Sequence, residues 1–211
     1  MAYIGQTPTA IPLVAGDITD GIITSAKIAN GTIVNADINA SAAIVGTKLT
    51  ALTYLHTVQT HVIVASSQSI SAATVTNITN LNATITPTAG TKILVTVRWN
   101  GEGSSSNNYD TVFGVRRDST IVGNPDADGS RVVGMAIISQ GHSATNTSDT
   151  PDSSFYQYLD SPTTGSAITY HATIRHRLAL TIYNNRTVND VNATDYERLT
   201  STITLQEVVA P

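Results

Sequence analysis

Two hydrophobic periods divide the chain. Between residues 13 and 49, Leu13, Ile18, Ile23, Ile28, Ile33 and Ile38 recur every five residues, and after one inserted residue Ile44 and Leu49 resume the step. From about Leu52 onward the period is two. Ile93, Val95, Val97 and Trp99 alternate with Leu94, Thr96 and Arg98, and Ile168, Tyr170, Ala172 and Ile174 alternate with Thr169, His171, Thr173 and Arg175. Ile203 and Leu205 stand in the same relation to Thr202, Thr204 and Gln206. This pattern predicts strands with one buried face. Further strands are expected at Tyr54–Val64, Thr74–Thr86, Thr111–Arg117, Arg131–Ser139, Phe155–Leu159 and Leu178–Tyr183, making eight or nine and no helix. Polar, Gly-rich stretches at 101–110, 123–130, 140–153 and 184–195 read as loops. Short strands at this spacing predict an antiparallel β-sandwich, jelly-roll-like, over residues 52–211.

The period of five needs a different backbone. Five residues advance about 140° around an α-helix, and an odd step changes face along a strand. Each unit must therefore turn, and Asp20-Gly21 and Asn30-Gly31 supply turn residues. A second layer has period ten, with Asp17, Lys27 and Asp37 each preceding an isoleucine of the ladder and Lys48 preceding Leu49. The burial that one copy's isoleucines and leucines offer falls short of the entropy of ordering the segment. Too few units are present to close a single-chain solenoid, so several chains winding about one axis are expected over residues 17–51.

Composition narrows the function. The 211 residues are 41% hydrophobic and 12% charged, with no cysteine, so stability rests on packing or association without disulfides. With a net charge of −4 and scattered Lys and Arg, no basic stripe for nucleic acid is present. Apolar runs such as Val132–Ile138 are far too short to span a bilayer, and Met1–Pro8 lacks the basic flank and apolar core of a signal peptide.

Asp17-Ile-Thr-Asp-Gly-Ile-Ile-Thr-Ser-Ala-Lys-Ile-Ala-Asn-Gly-Thr-Ile-Val-Asn-Ala-Asp-Ile38 resembles the repeats in fibre proteins of tailed bacteriophages, especially marine and cyanobacterial phages. Ala2-Tyr-Ile-Gly-Gln-Thr-Pro8 is similar to the N-termini of such fibres. More weakly, Tyr158–Pro162, Gly165–Tyr170 and Ser201–Val208 resemble their C-terminal regions. The resemblance implies an all-β homotrimer on the virion surface, with a docking segment at 1–16 that binds another virion protein of the tail, baseplate, collar or capsid. A short shaft at 17–51 and a head at 52–211 would follow. It further implies that three sandwiches pack around the shaft axis and that the head contacts a host-surface glycan or protein. A decorative appendage and a glycan-cleaving enzyme are the competing functions.

Candidate chemistry is sparse. The chain carries no nucleophile elbow, P-loop, dinucleotide fingerprint or zinc-protease motif, so no catalytic residue, cofactor or metal is expected. His56/His61 and His171/His176 are each five residues apart, which puts the members of a pair on opposite strand faces. Asn124-Pro-Asp-Ala-Asp-Gly-Ser130 starts like a calcium loop but lacks the later acidic ligand, so it reads as a turn. Arg116-Arg117-Asp118 reads as a strand end followed by a charged turn. Glu102, Asp110, Asp149, Asp152 and Asp160 are the carboxylates from which a glycosidase pair would have to come. Sugars are held by ring stacking and a few hydrogen bonds, which makes the loop residues Tyr109, His142, Arg186 and Tyr196 the candidate receptor contacts.

Overall fold

The computed structural model describes residues 14–39, 42, 54–104, 110–127, 129–138 and 150–208. The chain forms two compact units, Met1–Lys48 and Leu49–Pro211.

In the N-terminal unit the ten-residue repeat becomes a pair of turns. Three 3-10 turns, Ala15–Asp17, Ser25–Lys27 and Asn35–Asp37, recur at the same point of each repeat. Between them, Ile22 N–H donates to Thr19 O and Thr32 N–H to Ala29 O, around Gly21 and Gly31 at φ 79° and 80°. The period-ten charges have a local cause. Val14 N–H donates to Asp17 Oδ2 (2.9 Å) and Val34 N–H to Asp37 Oδ2 (2.8 Å), so each carboxylate reaches back to the amide that opens its own turn. Every residue of 14–42 whose side chain is described is exposed. The ladder splits in two: Ile18, Ile28 and Ile38 are 42%, 38% and 39% exposed, whereas Ile23 and Ile33 are 53% and 54% exposed. Leu13, Ile44 and Leu49 lie outside the described residues, as does most of the 1–16 segment.

The C-terminal unit is all-β, two antiparallel sheets packed face to face as a β-sandwich. Sheet A holds β1 (Tyr54–Val62), β2 (Ser66–Ile70), β4 (Lys92–Gly103), β8 (Asp152–Asp160), β10 (Leu180–Asn184) and β11 (Ser201–Val208). Sheet B holds β3 (Thr76–Ile85), β5 (Thr111–Arg117), β6 (Thr120–Val122), β7 (Ala136–Ile137) and β9 (Ile168–His176). β4 is the central strand of sheet A. Along one edge it pairs with β8, and along the other first with β11 (Lys92–Arg98) and then with β10 (Gly101–Gly103). β1 pairs with β11 and β2 with β10, so β1 and β2 follow one line of the sheet, as β10 and β11 do. In sheet B the order is β3-β9-β5, with β6 and β7 sharing the far edge of β5.

Alternation builds the core. Ile93, Val95, Val97, Trp99, Ile203 and Leu205 from sheet A meet Leu81, Ile85, Phe113, Val115, Tyr170 and Ile174 from sheet B, all at most 1% exposed. The Trp99 ring lies 4.9 Å from that of Phe113, and its indole N–H donates to Asn184 Oδ1 at 2.8 Å. The expected strand over Arg131–Ser139 shrinks to Ala136–Ile137. A side chain at Gly134 would strike Val112 Cβ at 2.8 Å and Phe113 O at 2.9 Å, so the chain passes close against β5 there and pairs with it only at Ala136–Ile137. β2 and β6 are additions to the expected set.

Candidate functional site

β11 gives way to β10 opposite Trp99 and Asn100, and there the hydrogen-bond ladder of β4 loses its regular partner. Side chains replace it. Asn100 N–H donates to Ser201 Oγ (3.0 Å) and Asn100 Nδ2 to Thr200 O (2.5 Å), while Asn185 N–H donates to Asn100 O (2.9 Å). Ser201 Oγ–H donates to Asn185 Oδ1 at 2.7 Å, and Asn185 Nδ2 reaches Val62 O (2.9 Å) and Val64 O (3.2 Å), where β1 breaks before β2. Val188 N–H donates to Glu102 Oε2 at 2.6 Å. Asn100, Glu102, Asn184, Asn185, Thr187 and Ser201 are at most 2% exposed. Buried polar groups of this kind need partners: Asn100, Asn185 and Ser201 use one another, and Asn184, Glu102 and Thr187 use Trp99, the Val188 amide and the Asn189 carbonyl.

On this foundation stands the excursion from Asn185 to Thr200. Asn185 takes φ 62°, a turn conformation that asparagine tolerates better than most residues. The Arg186 guanidinium lies 4.4 Å above the Tyr183 ring and donates to Thr187 O and Val188 O. Asp190 bridges Arg186 at 3.9 Å and also accepts from Arg198. An open recess of about 280 Å³ is lined by Asp190, Val191, Asn192, Ala193, Tyr196, Glu197 and Arg198. Two carboxylates, a guanidinium, an amide and a phenol ring around such a space can hold a hydroxyl-rich ligand.

Of the four expected receptor residues, Arg186 and Tyr196 lie on the excursion between β10 and β11. The chain enters at Tyr54, opposite Val208, and eight residues on, roughly 26 Å at strand rise, Val62 stands opposite Ser201, where the 185–200 excursion rejoins the sheet. β4 ends at Gly103 opposite Ile182, and β8 begins at Asp152 opposite Gly101. Tyr109 and His142 lie outside the described residues. Tyr196 lines the recess. Arg186 faces inward, its side chain 15% exposed, and braces the excursion. Asp190, Asn192, Glu197 and Arg198 were not singled out from sequence. The signal available was charge density, with five charged residues between 186 and 198 in a chain that is 12% charged.

The remaining candidates have local duties. Asp160 accepts from Tyr170 Oη–H (2.6 Å) and Arg117 Nη1 (2.7 Å). Burial acts to lower the Arg117 guanidinium, but the hydrogen bond and charge of Asp160 outweigh it and raise it. Burial, then the Asp160 bond, push the Tyr170 phenol far up. Asp110 pairs with Arg177 at 2.6 Å, Asp152 is 8% exposed, and Asp149 lies outside the described residues. His171 faces outward and His176 is fully buried, its Nδ1 accepting from Leu178 N–H at 3.0 Å. The only irregularity of β1 against β11 lies between Tyr54 and His56, which leaves His56 and His61 on opposite faces. Among the described residues no three metal-ligating side chains gather, and no helix is long and apolar enough to cross a membrane. Arg117 ends β5, and Asp118 at φ 50° opens the two-residue turn to β6. No protein-family model and no curated protein matches the chain.

Proposed function

We propose that the chain is a trimeric fibre or appendage protein of a tailed-phage virion, docked through residues 1–16 and meeting the host surface through its head. The observation that carries this reading is the N-terminal unit. It repeats a defined pair of turns, yet leaves every isoleucine of its described ladder at least 38% exposed. Regular apolar positions without a core of their own call for cover from other copies. The resemblance of residues 1–49 to phage fibres supplies three as the number and the virion as the setting. The strand order supports a jelly-roll head: with β1/β2, β10/β11 and β6/β7 each taken as one strand, the sheets interleave as first-eighth-third-sixth and second-seventh-fourth-fifth. The excursion around Tyr196 rejoins the sheet at Ser201, at the end of β1 away from the chain's entry at Tyr54, which suits a host-facing surface. In this reading the head binds and does not cleave.

Light scattering on the purified full chain tests it. The expected mass is three times 22.1 kDa. A 22.1 kDa particle at micromolar concentration refutes the assembly. On the intact trimer, Tyr196→Ala should weaken attachment to host cells at least tenfold, and unchanged attachment would remove the 185–200 excursion from the reading.

A further inference from the structure

A second polar site lies on the outer face of sheet B and is independent of the fibre reading. There Arg116 stands beside His171, Gly114 beside Thr173, Val112 beside Arg175, and Asn77 faces Thr173 from the other side. Arg116 donates through Nη1 to Asn77 Oδ1 (3.0 Å) and through Nη2 to Val75 O (3.3 Å), and Arg175 donates through Nε to Ala73 O (3.2 Å). These acceptors are all neutral. The two carbonyls are two residues apart in the chain, which keeps them within about 7 Å of each other. Asp118, the carboxylate that ends the same strand face, accepts from Thr169 N–H.

Three polar atoms here are buried and unpartnered: Arg116 Nε, Arg175 Nη1 and Asn124 Oδ1. Turning the Asn124 amide over would present its N–H groups instead. Arg175 and Asn124 line a recess with Val75, Val112, Ile121 and Thr173, and the segment from Gly123 to Gly134 crosses above it. Gly114 keeps its floor open, since a Cβ there would come within 3.2 Å of Thr173 Oγ1 and 3.4 Å of Asn124 Oδ1. The occupant can be little larger than a water molecule. Burial, then the Arg116 charge, hold the neighbouring His171 below the ordinary histidine range against the opposing charge of Asp118.

We propose that this recess binds a small monovalent anion, a halide, between Arg175 and the Asn124 amide, with Arg116 adding positive charge from the neighbouring strand, and that the anion fastens the 123–134 segment to sheet B. Buried guanidinium donors facing only neutral acceptors are completed by a negative charge.

Thermal unfolding of the full chain is followed while chloride, bromide or acetate replaces a bulky sulfonate at constant ionic strength. Saturable stabilisation of a few degrees at millimolar anion is expected. It should vanish in Arg175→Gln and in Gly114→Ala, and persist in Arg98→Gln, an exposed arginine of sheet A. Acetate, too large for the recess, should stabilise less than either halide, and equal action by acetate would overturn the site. No saturation, or the same response in Arg175→Gln, overturns the site. Wild-type crystals grown in bromide decide it even if the variants fail to fold: an anomalous peak between Arg175 and Asn124 supports it, and a water without bromine signal overturns it.

Discussion

Residues 14–39 and residues 54–208 both place isoleucine at fixed intervals, with opposite results. In the sandwich Ile93 and Ile203 are 0% exposed, whereas Ile23 and Ile33 of the N-terminal unit are 53% and 54% exposed. A period states which way side chains point and leaves open what will cover them. A step of two, repeated over several strands, builds two faces in one chain that cover each other. A step of five, with a turn in every step, builds no second layer, and under the proposed trimer the cover comes from other copies.

The largest effect is expected where that difference is attacked directly. Ile28→Asp would set three carboxylates in a shared apolar seam, each worth about 3–5 kcal/mol as an unpaired buried charge. Light scattering should show dissociation at micromolar concentration, while the head keeps its melting temperature. An intact trimer would mean that the ladder is not buried by association. Trp99→Ala strikes the other region. Loss of its packing on Phe113 and of the bond to Asn184 should cost about 3–5 kcal/mol, read as a lower head melting temperature with the trimer mass unchanged.

Alkali sharpens the comparison further, because the described N-terminal residues include no tyrosine. Burial raises the Tyr156 phenol, and burial with the Asp160 bond raises that of Tyr170. Both fold in the protonated form with pKa values above the unfolded value of about 10. Their contribution is therefore complete below about pH 10 and is lost as pH climbs beyond it. The head should melt at lower temperature at pH 11 than at pH 9, and Tyr156→Phe should reduce that gap. An unchanged gap would shift the cause to Tyr170. The smallest effect concerns single turns. Asp37→Ala removes the carboxylate that accepts from Val34 N–H, at about 0.5–1.5 kcal/mol, and should speed proteolysis near residue 37. Lys27 occupies the equivalent place, where the turn carries no side-chain cap, so Lys27→Asp should slow cleavage near residue 27.

The legible strands were those with an apolar residue at every second position. β4, β5, β9 and β11 follow the alternation around Ile93–Trp99, Thr111–Arg117, Ile168–Ile174 and Ile203–Leu205, and β1, β3 and β10 overlap the expected Tyr54–Val64, Thr74–Thr86 and Leu178–Tyr183. β8 lies where expected but turns Phe155 and Leu159 outward, 61% and 46% exposed. β2 reads Ser66-Ser-Gln-Ser-Ile70, so its inward positions carry little apolar signal before Ile70. The parity of the histidine pairs was legible because it follows from strand geometry alone. The role of Arg186 was not, since it depends on the Tyr183 ring beneath it and on Asp190 across the excursion. The Gly114 recess was hidden for a related reason: Arg175 and Asn124 are brought together only by the pairing of β5 with β9 and the crossing of the 123–134 segment.

The pairing of β1 with β11 bears on how the head would carry load. Tyr54 sits opposite Val208 and Val62 opposite Ser201, so the strand that receives the chain from the N-terminal unit ends beside the root of the 185–200 excursion. If that excursion grips a surface while the N-terminus is held, tension runs lengthwise through β1. Its hydrogen bonds to β11 are then sheared together and not peeled one by one. Pulling on Tyr54 and Val208, which stand opposite each other, would instead open the same pair like a zip. Under the proposed fibre function, the head would resist load along the direction of stretching and yield more easily to a pull on Tyr54 and Val208.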